Sequence, residues 1–457
     1  MAALAEVLAQ IVGRENVRSG DEITPDLGHD ESLGSEPVMP AAVVLPASTD
    51  EVAAVVRAAA AGGIPVTARG SATGLSGGAV PQADGVVVSF ARMNRILEID
   101  TDNHVAVVQP GCTLDELDKA TAAHGLVYPV FPGENTASLG GNVATNAGGM
   151  RAVKYGVTRH HVLGLEAVLG TGDVVRTGGK YVKSSTGYDL TQLLVGSEGT
   201  LALVTEATLK LHPRPEHATC VLAPFATLDE VAACVPVIVG SGIGPVILEY
   251  IDMVTMAAIT AHVGLDLGIP DAVRDAALAY LVVVLENGDA DRLEADVTAL
   301  GDLVSGRGAI DVFVLPPTAG TQLIDAREKA FWVAKASGAD DLIDMVVPRA
   351  AIPRYLAEVA ALGEATGSLV LGCGHVGDGN IHLSVYQKDA SVRTALMSDI
   401  YRAGMALGGA ISAEHGIGSA KMAYYLDLED PVKLGLMRRI KEVFDPNGIL
   451  NPGKILG

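Results

Sequence analysis

Cysteine, aromatic residues and positive charge are all scarce in this chain of 457 residues. Its four cysteines form no C-x-x-C pair and are too few for a disulfide framework, which favours a reduced, cytoplasmic protein. Aromatic residues make up 4% of the chain, with one tryptophan, which argues against a platform for stacking nucleic-acid bases. With 32 basic and 54 acidic residues, the formal net charge of −22 argues against binding a phosphate backbone.

Long uninterrupted apolar runs are also lacking. The longest uncharged stretch, residues 231–248, contains two prolines and three glycines. A transmembrane helix needs about 20 mostly apolar residues without such breaks, so this stretch predicts a helix end, a turn and a strand. The first 16 residues contain Glu6 and no basic segment ahead of an apolar one, so we do not expect a secretory signal.

The material for large folded domains is present, since 49% of the residues are hydrophobic and the length predicts two or three domains. Up to about residue 217, short strands and helices are separated by long glycine-rich loops. Strand–helix–strand units then run to about residue 386 and predict an α+β, ferredoxin-like domain with helices on one face of an antiparallel sheet. Two helices, over 395–408 and 431–444, are predicted to flank a loop over 411–418.

Local signals sharpen the first part of this prediction. Capping boxes at Ser48 and Thr113 predict two helix starts, because each hydroxyl is followed three residues later by a glutamate. The segment 38–66 therefore reads as strand, helix and strand. The segment 162–175 has a Gly-Asp turn between two apolar runs and predicts a hairpin.

Three segments rich in glycine, serine, threonine and asparagine are candidates for binding an anionic group. They span residues 69–78, 132–149 and 196–200. Glycine lets several backbone N–H groups turn toward one point, and the hydroxyls add donors. One such loop is most often a simple turn, but three with side-chain donors favour a phosphate cradle. The segment 372–377 matches G-x-G-x-x-G but precedes a strand, so it does not predict a dinucleotide-binding fold.

A pair of histidines is the most informative local pattern. Asp378-Gly379 between two extended runs predicts a two-residue hairpin loop, which places His375 opposite His382 with Asn380 on the same face. Two neutral imidazoles side by side suit a shared divalent metal. Glu414 in the loop over 411–418 is the candidate third ligand, and two histidines with a glutamate suit zinc or manganese. The alternatives are structural histidines and a solvated loop.

Taken together and in this order, seven segments resemble one known family. They are RGSATGLSGG, GGNVATNAGGMRAVKYG, VGSEGTLALVTEATLKL, AREKAF, GHVGDGNIH, ISAEHGIG and FDPNGILNPGK. The chain from about Pro37 to Gly457 is similar to the FAD-linked 2-hydroxy-acid dehydrogenases and oxidases, which include the FAD subunit of bacterial glycolate oxidase, D-lactate dehydrogenases and D-2-hydroxyglutarate dehydrogenases. The resemblance implies an FAD-binding domain of the vanillyl-alcohol-oxidase or PCMH type over 1–217, a substrate or cap domain over 218–412 and a helical tail over 413–457 that returns to the flavin.

The resemblance also implies which residues hold FAD. The first loop would hold the pyrophosphate, the second would run beside the flavin, the third would contact the adenosine side, and the tail would close the site. The implied residues are Arg69, Gly70, Ser71, Thr73, Gly74, Leu75, Ser76, Gly78, Pro132, Gly133, Thr136, Gly140, Gly141, Asn142, Thr145, Gly149, Glu198, Gly199, Val204, Asn451 and Lys454. Because no histidine lies within 69–78, FAD is expected to be non-covalent. Attachment at His160 or His161 stays open.

The implied chemistry is the oxidation of a small D-2-hydroxy acid, of the D-lactate or glycolate class, to the 2-oxo acid. His375, His382 and Glu414 match the family's ligands to a divalent metal, zinc or manganese here, and His415 matches its base. Arg327 of AREKAF would bind the substrate carboxylate, for which a guanidinium is well shaped. Asn380 is counted with the catalytic residues. In the family, hydride passes from the substrate to flavin N5 with assistance from the metal.

Several alternatives stay open. A D-2-hydroxyglutarate substrate is disfavoured because Asp341-Leu-Ile, and not a lysine, precedes the segment 344–348. A metal-dependent hydrolase using His375, His382 and Glu414, and a non-catalytic flavin-binding protein, are the other classes. The electron acceptor is unknown and could be a quinone, a cytochrome, an electron-transfer flavoprotein or oxygen. A location at a membrane surface through that acceptor is open, as is a homodimer.

Overall fold

The protein is described here from a computed structural model, which covers residues 2–457. Its first sheet has four strands in the order β1-β2-β4-β3, with β4 parallel to both β2 and β3. Ser48 caps the second helix by accepting the N–H of Glu51 at 3.3 Å, so the predicted strand, helix and strand are confirmed. The elements are α1 (Ala2–Val12), β1 (Val17–Ser19), β2 (Ala42–Val44), α2 (Thr49–Gly62), β3 (Val66–Arg69) and β4 (Val86–Ser89).

A second, antiparallel sheet has five strands in the order β5-β6-β10-β8-β9. Strands β8 and β9 form the predicted hairpin. Thr113 forms the predicted capping box with Glu116 at the start of α3. The elements are β5 (Ile96–Asp100), β6 (Val105–Val108), α3 (Leu114–Ala122), β7 (Leu126–Val127), α4 (Leu139–Thr145), α5 (Ala152–Tyr155), β8 (Val162–Leu169), β9 (Val174–Gly178), α6 (Leu190–Leu194), β10 (Ala202–Lys210) and β11 (His212–Pro213).

The largest sheet has seven antiparallel strands in the order β15-β12-β14-β13-β17-β18-β16. The elements of this region are β12 (His217–Phe225), α7 (Leu228–Gly240), β13 (Ile247–Asp252), α8 (Met253–Val263), α9 (Asp271–Ala276), β14 (Ala279–Asn287), α10 (Ala290–Ser305), β15 (Phe313–Val314), α11 (Pro317–Glu328), α12 (Ala330–Ala336), β16 (Asp341–Val346), α13 (Ile352–Thr366), β17 (Leu369–Gly374), β18 (Asn380–Tyr386) and α14 (Ala390–Ala406).

This sheet has helices on both faces, whereas the sequence predicted them on one face only. Val221 and Ala223 of β12 pack into one core with residues of α7, α10, α13 and α14. Cys220 and Leu222, which point the other way, pack into a second core with residues of α8 and α11. Because alternate residues of a strand face opposite sides, β12 is buried on both sides over residues 220–225, where its sequence is continuously apolar.

The C-terminal region contains two predicted helices and one unpredicted one. Helix α14 begins earlier than predicted because Asp389 caps it by accepting the N–H groups of Ser391 and Val392. The other two are α15 (Met422–Leu428), which was not predicted, and α16 (Pro431–Phe444). The tail then returns to the first sheet, where Asn451 donates its N–H to the carbonyl of Val66 at 2.8 Å.

No helix within residues 2–457 is both long enough and apolar enough to cross a membrane. The predicted domain boundaries at residues 217 and 412 stay predictions.

Candidate active site

The histidine hairpin has a different register from the predicted one. Strand β17 pairs with β18 so that Cys373, and not His375, lies opposite His382. The connection is five residues long, because the carbonyl of His375 accepts the N–H groups of Asp378, Gly379 and Asn380 at 3.1–3.3 Å. The predicted two-residue loop is therefore wrong. The two imidazoles still meet, with ring centroids 4.8 Å apart.

Glu414 joins these two histidines, as predicted for the third ligand. Its Oε1 lies 3.2 Å from Nε2 of His375 and 3.2 Å from Nε2 of His382. The candidate donor atoms of the three residues all lie within 4.8 Å of one another. Glu414 comes from the loop between α14 and α15, so residues 39 positions apart in the chain meet at one point.

Two residues behind His375 complete a buried charged chain. Nδ1 of His375 donates to Oε1 of Glu249 at 2.5 Å, and Glu249 is fully buried on β13. The other carboxylate oxygen of Glu249 lies 2.8 Å from Nη2 of Arg327 on α11. Nε of Arg327 is buried without a hydrogen-bond partner among the described residues, so this guanidinium has a free donor.

Asp344 on β16 shapes the loop that carries Glu414. Its Oδ2 accepts the hydroxyl of Ser412 at 2.7 Å and the N–H groups of residues 413, 414 and 415 at 2.8–3.1 Å. Its Oδ1 accepts Nδ2 of Asn380 at 2.8 Å. Asn380 therefore contacts Asp344 and lines neither of the two large cavities described below.

Burial and nearby opposite charges shift the pKa values of Glu414 and of the histidines around it. Burial alone raises the pKa of Glu414, but His375 and His382 more than offset this and hold it well below the usual range. Burial lowers the pKa of His375, but the carboxylates of Glu249 and Glu414 raise it well above the usual value. For His415, burial dominates and lowers the pKa to about 4, so its imidazole is neutral at pH 7.

The donor chemistry of this cluster fits a divalent cation. Because Nδ1 of His375 contacts Glu249, Nε2 is the nitrogen that faces the Glu414 carboxylate, and the raised pKa of His375 shows that a positive charge is favoured between them. Nε2 of His382 faces the same oxygen. Electron-pair donors held this close repel unless a proton or a cation lies between them. Two histidines and a glutamate are also a known ligand set for catalytic zinc, and a carboxylate behind a ligating histidine commonly orients it.

The glycine-rich loops line an open groove with about 1050 Å³ of empty space. Small residues form most of its wall, so side chains leave the space free. Nδ2 of Asn142, which lines the groove, is buried without a partner among the described residues. An unpaired donor in a groove of this size fits a large polar ligand such as FAD. The implied FAD-binding residues that line it are Gly70, Thr73, Gly74, Leu75, Ser76, Gly78, Pro132, Gly141, Asn142, Thr145, Glu198, Gly199 and Asn451.

Other implied FAD-binding residues lie next to this groove. Gly140 and Val204 line a smaller adjoining cavity of about 470 Å³. Ser71 and Thr136 tie the first two loops together, since the Ser71 hydroxyl donates to the Thr136 carbonyl at 2.6 Å. Gly133 and Gly149 line the second large cavity.

Arg69 and Lys454, which the resemblance implies for FAD binding, do not line the groove, and their roles stay predictions. The guanidinium of Arg69 donates to the backbone carbonyls of Asp26 and His29 at 2.6 and 2.8 Å. Lys454 is buried near the carboxylates of Asp30 and Glu198, and burial lowers its pKa. His160 and His161, the residues left open for covalent attachment, do not line the groove either.

Glu198 connects the groove to the metal-ligand loop. Its carboxylate accepts the N–H groups of Ile417 and Gly418, each at 2.7 Å, and it is 7% exposed. Sequence reasoning placed Glu198 on the adenosine side and missed this second contact. It also missed Asp30, Glu249 and Asp344. The one available signal was an ionisable residue inside an otherwise apolar strand, as at Glu249 in β13.

A second cavity, with about 1410 Å³ of empty space, opens on the other side of the cluster. Arg327, His375 and His382 line it. Leu75, Pro132, Glu414 and His415 line both this cavity and the groove. The predicted metal ligands and base therefore lie where a cofactor in the groove and a substrate in the second cavity would meet.

Two protein-family models match the chain. The model described as FAD linked oxidases, C-terminal domain, matches residues 214–455, and the model described as FAD binding domain matches residues 40–178. The fold is similar to a solved structure of p-cresol methylhydroxylase with substrate bound, with a TM-score of 0.79 and 18% identity over 100% of this chain and 96% of that one. At this identity the likeness shows the fold alone, and it confirms the predicted PCMH-type architecture.

Curated relatives match over nearly the whole length. An uncharacterized FAD-linked oxidoreductase of Mycobacterium tuberculosis is 56% identical over 100% of both chains. A D-lactate dehydrogenase of Anaerostipes hadrus is 38% identical over 97% of this chain and 95% of its own length. The glycolate oxidase subunit GlcD of Bacillus subtilis is 36% identical over 98% and 96%, respectively.

Proposed function

The chain belongs to the FAD-linked oxidoreductase family that includes D-lactate dehydrogenases and glycolate oxidase subunits, and on this premise we propose that it oxidises a D-2-hydroxy acid of the D-lactate or glycolate class to the 2-oxo acid, using FAD and a divalent metal. The observation that carries the proposal is the meeting of two cavities at His415 and Glu414. One cavity suits the cofactor, and the other presents a guanidinium and the metal-ligand cluster.

Arg327 is the proposed carboxylate-binding residue. Its unpaired Nε and its position in the wall of the second cavity support this role. Glu249 holds the guanidinium from behind through the 2.8 Å ion pair, which fixes its orientation. A planar guanidinium held in this way offers two parallel N–H donors to a carboxylate.

His415 is the proposed base for the substrate hydroxyl. Its Nδ1 has no hydrogen-bond partner among the described residues, and its imidazole is neutral at pH 7 because burial lowers its pKa. The ring stacks on His382 with centroids 5.0 Å apart and planes 13° from parallel, which fixes it beside the ligand cluster. A neutral imidazole can accept the hydroxyl proton as the alcohol carbon is oxidised.

FAD in the groove would supply the acceptor for the hydride from the alcohol carbon. His375, His382 and Glu414 would hold a zinc or manganese ion, which would supply Lewis-acid polarisation of the substrate oxygens. Asn380 and Asp344 act by holding the loop that positions Glu414 and His415. Of the four residues that line both cavities, Leu75 and Pro132 are apolar.

The number of cationic side chains in the second cavity favours a substrate with one carboxylate over a dicarboxylate. Apart from the histidines, Arg327 is the only cationic residue lining the second cavity among residues 2–457. One guanidinium matches one carboxylate, so a dicarboxylate such as D-2-hydroxyglutarate would leave its second charge without a partner, at a high desolvation cost.

The first experiment is an anaerobic visible spectrum of the purified protein before and after adding D-lactate, L-lactate, glycolate and D-2-hydroxyglutarate separately. We expect a flavin absorption band that a D-2-hydroxy acid bleaches and its L enantiomer does not. A protein that stays colourless after FAD is added would overturn the proposal and favour a metal-dependent hydrolase. A yellow protein that no D-2-hydroxy acid bleaches would favour a non-catalytic flavin-binding role.

A further inference from the structure

The second cavity continues outward from the metal-ligand cluster along the sheet. Its floor is formed by alternate residues of β17 and β18, which lie on one face of the sheet. These residues form three directly opposed pairs, Cys373 with His382, Leu371 with Ser384, and Leu369 with Tyr386. At about 3.3 Å per residue, the four-residue step from the first pair to the last spans about 13 Å.

The roof of this channel is made by two helices and is apolar except for Thr255 of α8. Val254, Ala258 and Ile259 line it from α8, and Phe331 and Ala334 line it from α12. The two helices are in contact with each other and α8 also contacts β17, so the channel is bounded by protein on both sides.

The outer end of the channel is open and apolar. Leu369 and Val254 both line the cavity, and they are 53% and 47% exposed. Large apolar side chains exposed at the mouth of a channel suit an apolar ligand, and a purely polar substrate would not need them. Lactate has six non-hydrogen atoms and a single methyl group as its side chain, so it cannot extend along a channel floor that spans about 13 Å.

We propose that the preferred substrate is a D-2-hydroxy acid with a long apolar side chain, of the medium-chain 2-hydroxy fatty acid class, whose tail lies in this channel. The inference rests on the proposed function, because it takes the carboxylate to be bound at Arg327. When the carboxylate of a 2-hydroxy acid is bound at Arg327, this channel is the space available to the side chain on its C2 atom. A quinone has no carboxylate for Arg327, so the channel suits a tail attached to the substrate better than a separate acceptor.

The test is a chain-length series on the intact holoenzyme. D-Lactate, D-2-hydroxybutanoate, D-2-hydroxyhexanoate and D-2-hydroxyoctanoate are compared by kcat/KM with an artificial dye as acceptor. We expect kcat/KM to rise with each methylene by up to about fourfold, the ratio that corresponds to ~0.8 kcal/mol per buried CH₂. The L enantiomers of the same acids serve as inactive controls.

A pair of variants locates the tail. Ala258→Trp should block the channel and reduce the ratio of kcat/KM for D-2-hydroxyoctanoate to that for D-lactate at least tenfold. Ala257→Trp, one residue away on the exposed side of α8, should leave this ratio unchanged. FAD absorbance and the melting temperature verify folding, and Ala258→Met replaces the first variant if it loses FAD.

The outcomes separate the inference from the function on which it rests. A kcat/KM that is highest for D-lactate and falls with chain length would overturn the inference and leave the proposed function standing. A preference for D-2-hydroxyglutarate would also overturn it. If no D-2-hydroxy acid of any length bleaches the flavin, the proposed function itself is wrong.

Discussion

The fully buried carboxylate of Asp344 controls the geometry of two functional residues that lie on a loop. It accepts three consecutive backbone N–H groups and one hydroxyl. Burial raises its pKa, but nearby positive charge, including Lys421, and the hydrogen bond from Ser412 hold it well below the usual range. A loop is usually less rigid than a strand. Here the anion on β16 fixes the backbone of Glu414 and His415, while Asn380 fixes the anion from the other side.

We predict that Asp344→Asn weakens metal binding by about 10- to 100-fold, the usual cost of losing a residue that orients metal ligands. The amide keeps the shape but replaces one carboxylate oxygen by a donor, which faces the N–H groups of the loop. Metal content after dialysis against a graded series of chelator concentrations measures the effect. Asp341→Asn on the same strand is the control, since its carboxylate does not contact the loop. Equal metal retention in both variants would refute the role of Asp344.

We predict that His415→Ala lowers the rate of flavin reduction at least ~100-fold, because a positioned base typically contributes 10²- to 10⁴-fold. FAD and metal should stay bound, since the contact of residue 415 with Asp344 uses the backbone N–H, which alanine retains. Stopped-flow reduction of the flavin by substrate measures the rate, and elemental analysis measures the metal. An unchanged reduction rate would remove His415 from the mechanism.

At the scale of elements, the sequence predicted what is local and missed what depends on pairing between distant strands. Ser48 and Thr113 cap their helices as predicted because an N-cap needs only the next three residues. The capping box is complete at Thr113, whereas the Glu51 side chain accepts the N–H of Ala47 and not that of Ser48. The Asp-Gly signal predicted a hairpin but not its register. Gly379, at φ +99°, places its N–H on the carbonyl of His375 and widens the loop.

Asp344 and Glu249 were not predicted as site residues because their positions also depend on pairing between distant strands. Asp344 lies opposite His382 because β16 pairs with β18, and Glu249 approaches His375 because β13 pairs with β17. Both pairings join strands between which whole helices intervene in the chain, and no local pattern specifies them. The family resemblance placed His375, His382 and Glu414 in one metal site, and these three residues do come together in the structure.

The loop over 411–418 is held at two points, by Asp344 near its start and by Glu198 near its end. We predict that Glu198→Gln destabilises the protein by about 1–3 kcal/mol, because an amide has one oxygen for two buried N–H groups and brings a donor of its own. Thermal unfolding followed by flavin fluorescence measures this, and FAD should be released at a lower temperature. Glu206→Gln on β10 is the control, and equal melting temperatures would contradict the prediction.

For the whole molecule, the candidate site exists only where separate regions of the chain meet. The groove is lined by residues from the first half and by Glu414, His415 and Asn451, whereas the second cavity is lined mainly by residues 254–415. A contact away from the site also joins these regions, since the hydroxyl of Tyr155 donates to Glu286 on β14 at 2.5 Å. The relative placement of the two cavities therefore depends on contacts such as this one.

His161 makes this contact region sensitive to acid. Its side chain is 2% exposed, its Nε2 donates to the carbonyl of Tyr155 at 3.0 Å, and its ring packs edge-on against Tyr128 and His212. Burial lowers the pKa of His161 from 6.5 to about 4. A base whose pKa is lower in the folded state stabilises the fold fully above pH 6.5, and this contribution is lost as the pH falls toward 4.

We therefore predict that His161→Phe reduces the loss of stability on acidification by about 2 kcal/mol between pH 7.5 and pH 5, since one pKa unit corresponds to 1.36 kcal/mol. Phenylalanine keeps the edge-on packing and cannot take up a proton, although it loses the hydrogen bond to Tyr155 at every pH. Urea unfolding at the two pH values gives the difference directly. His160→Phe, at the exposed neighbouring position, should keep the wild-type pH dependence. If His161→Phe also keeps it, the acid sensitivity arises elsewhere, and the histidine is a packing residue with no part in the pH response.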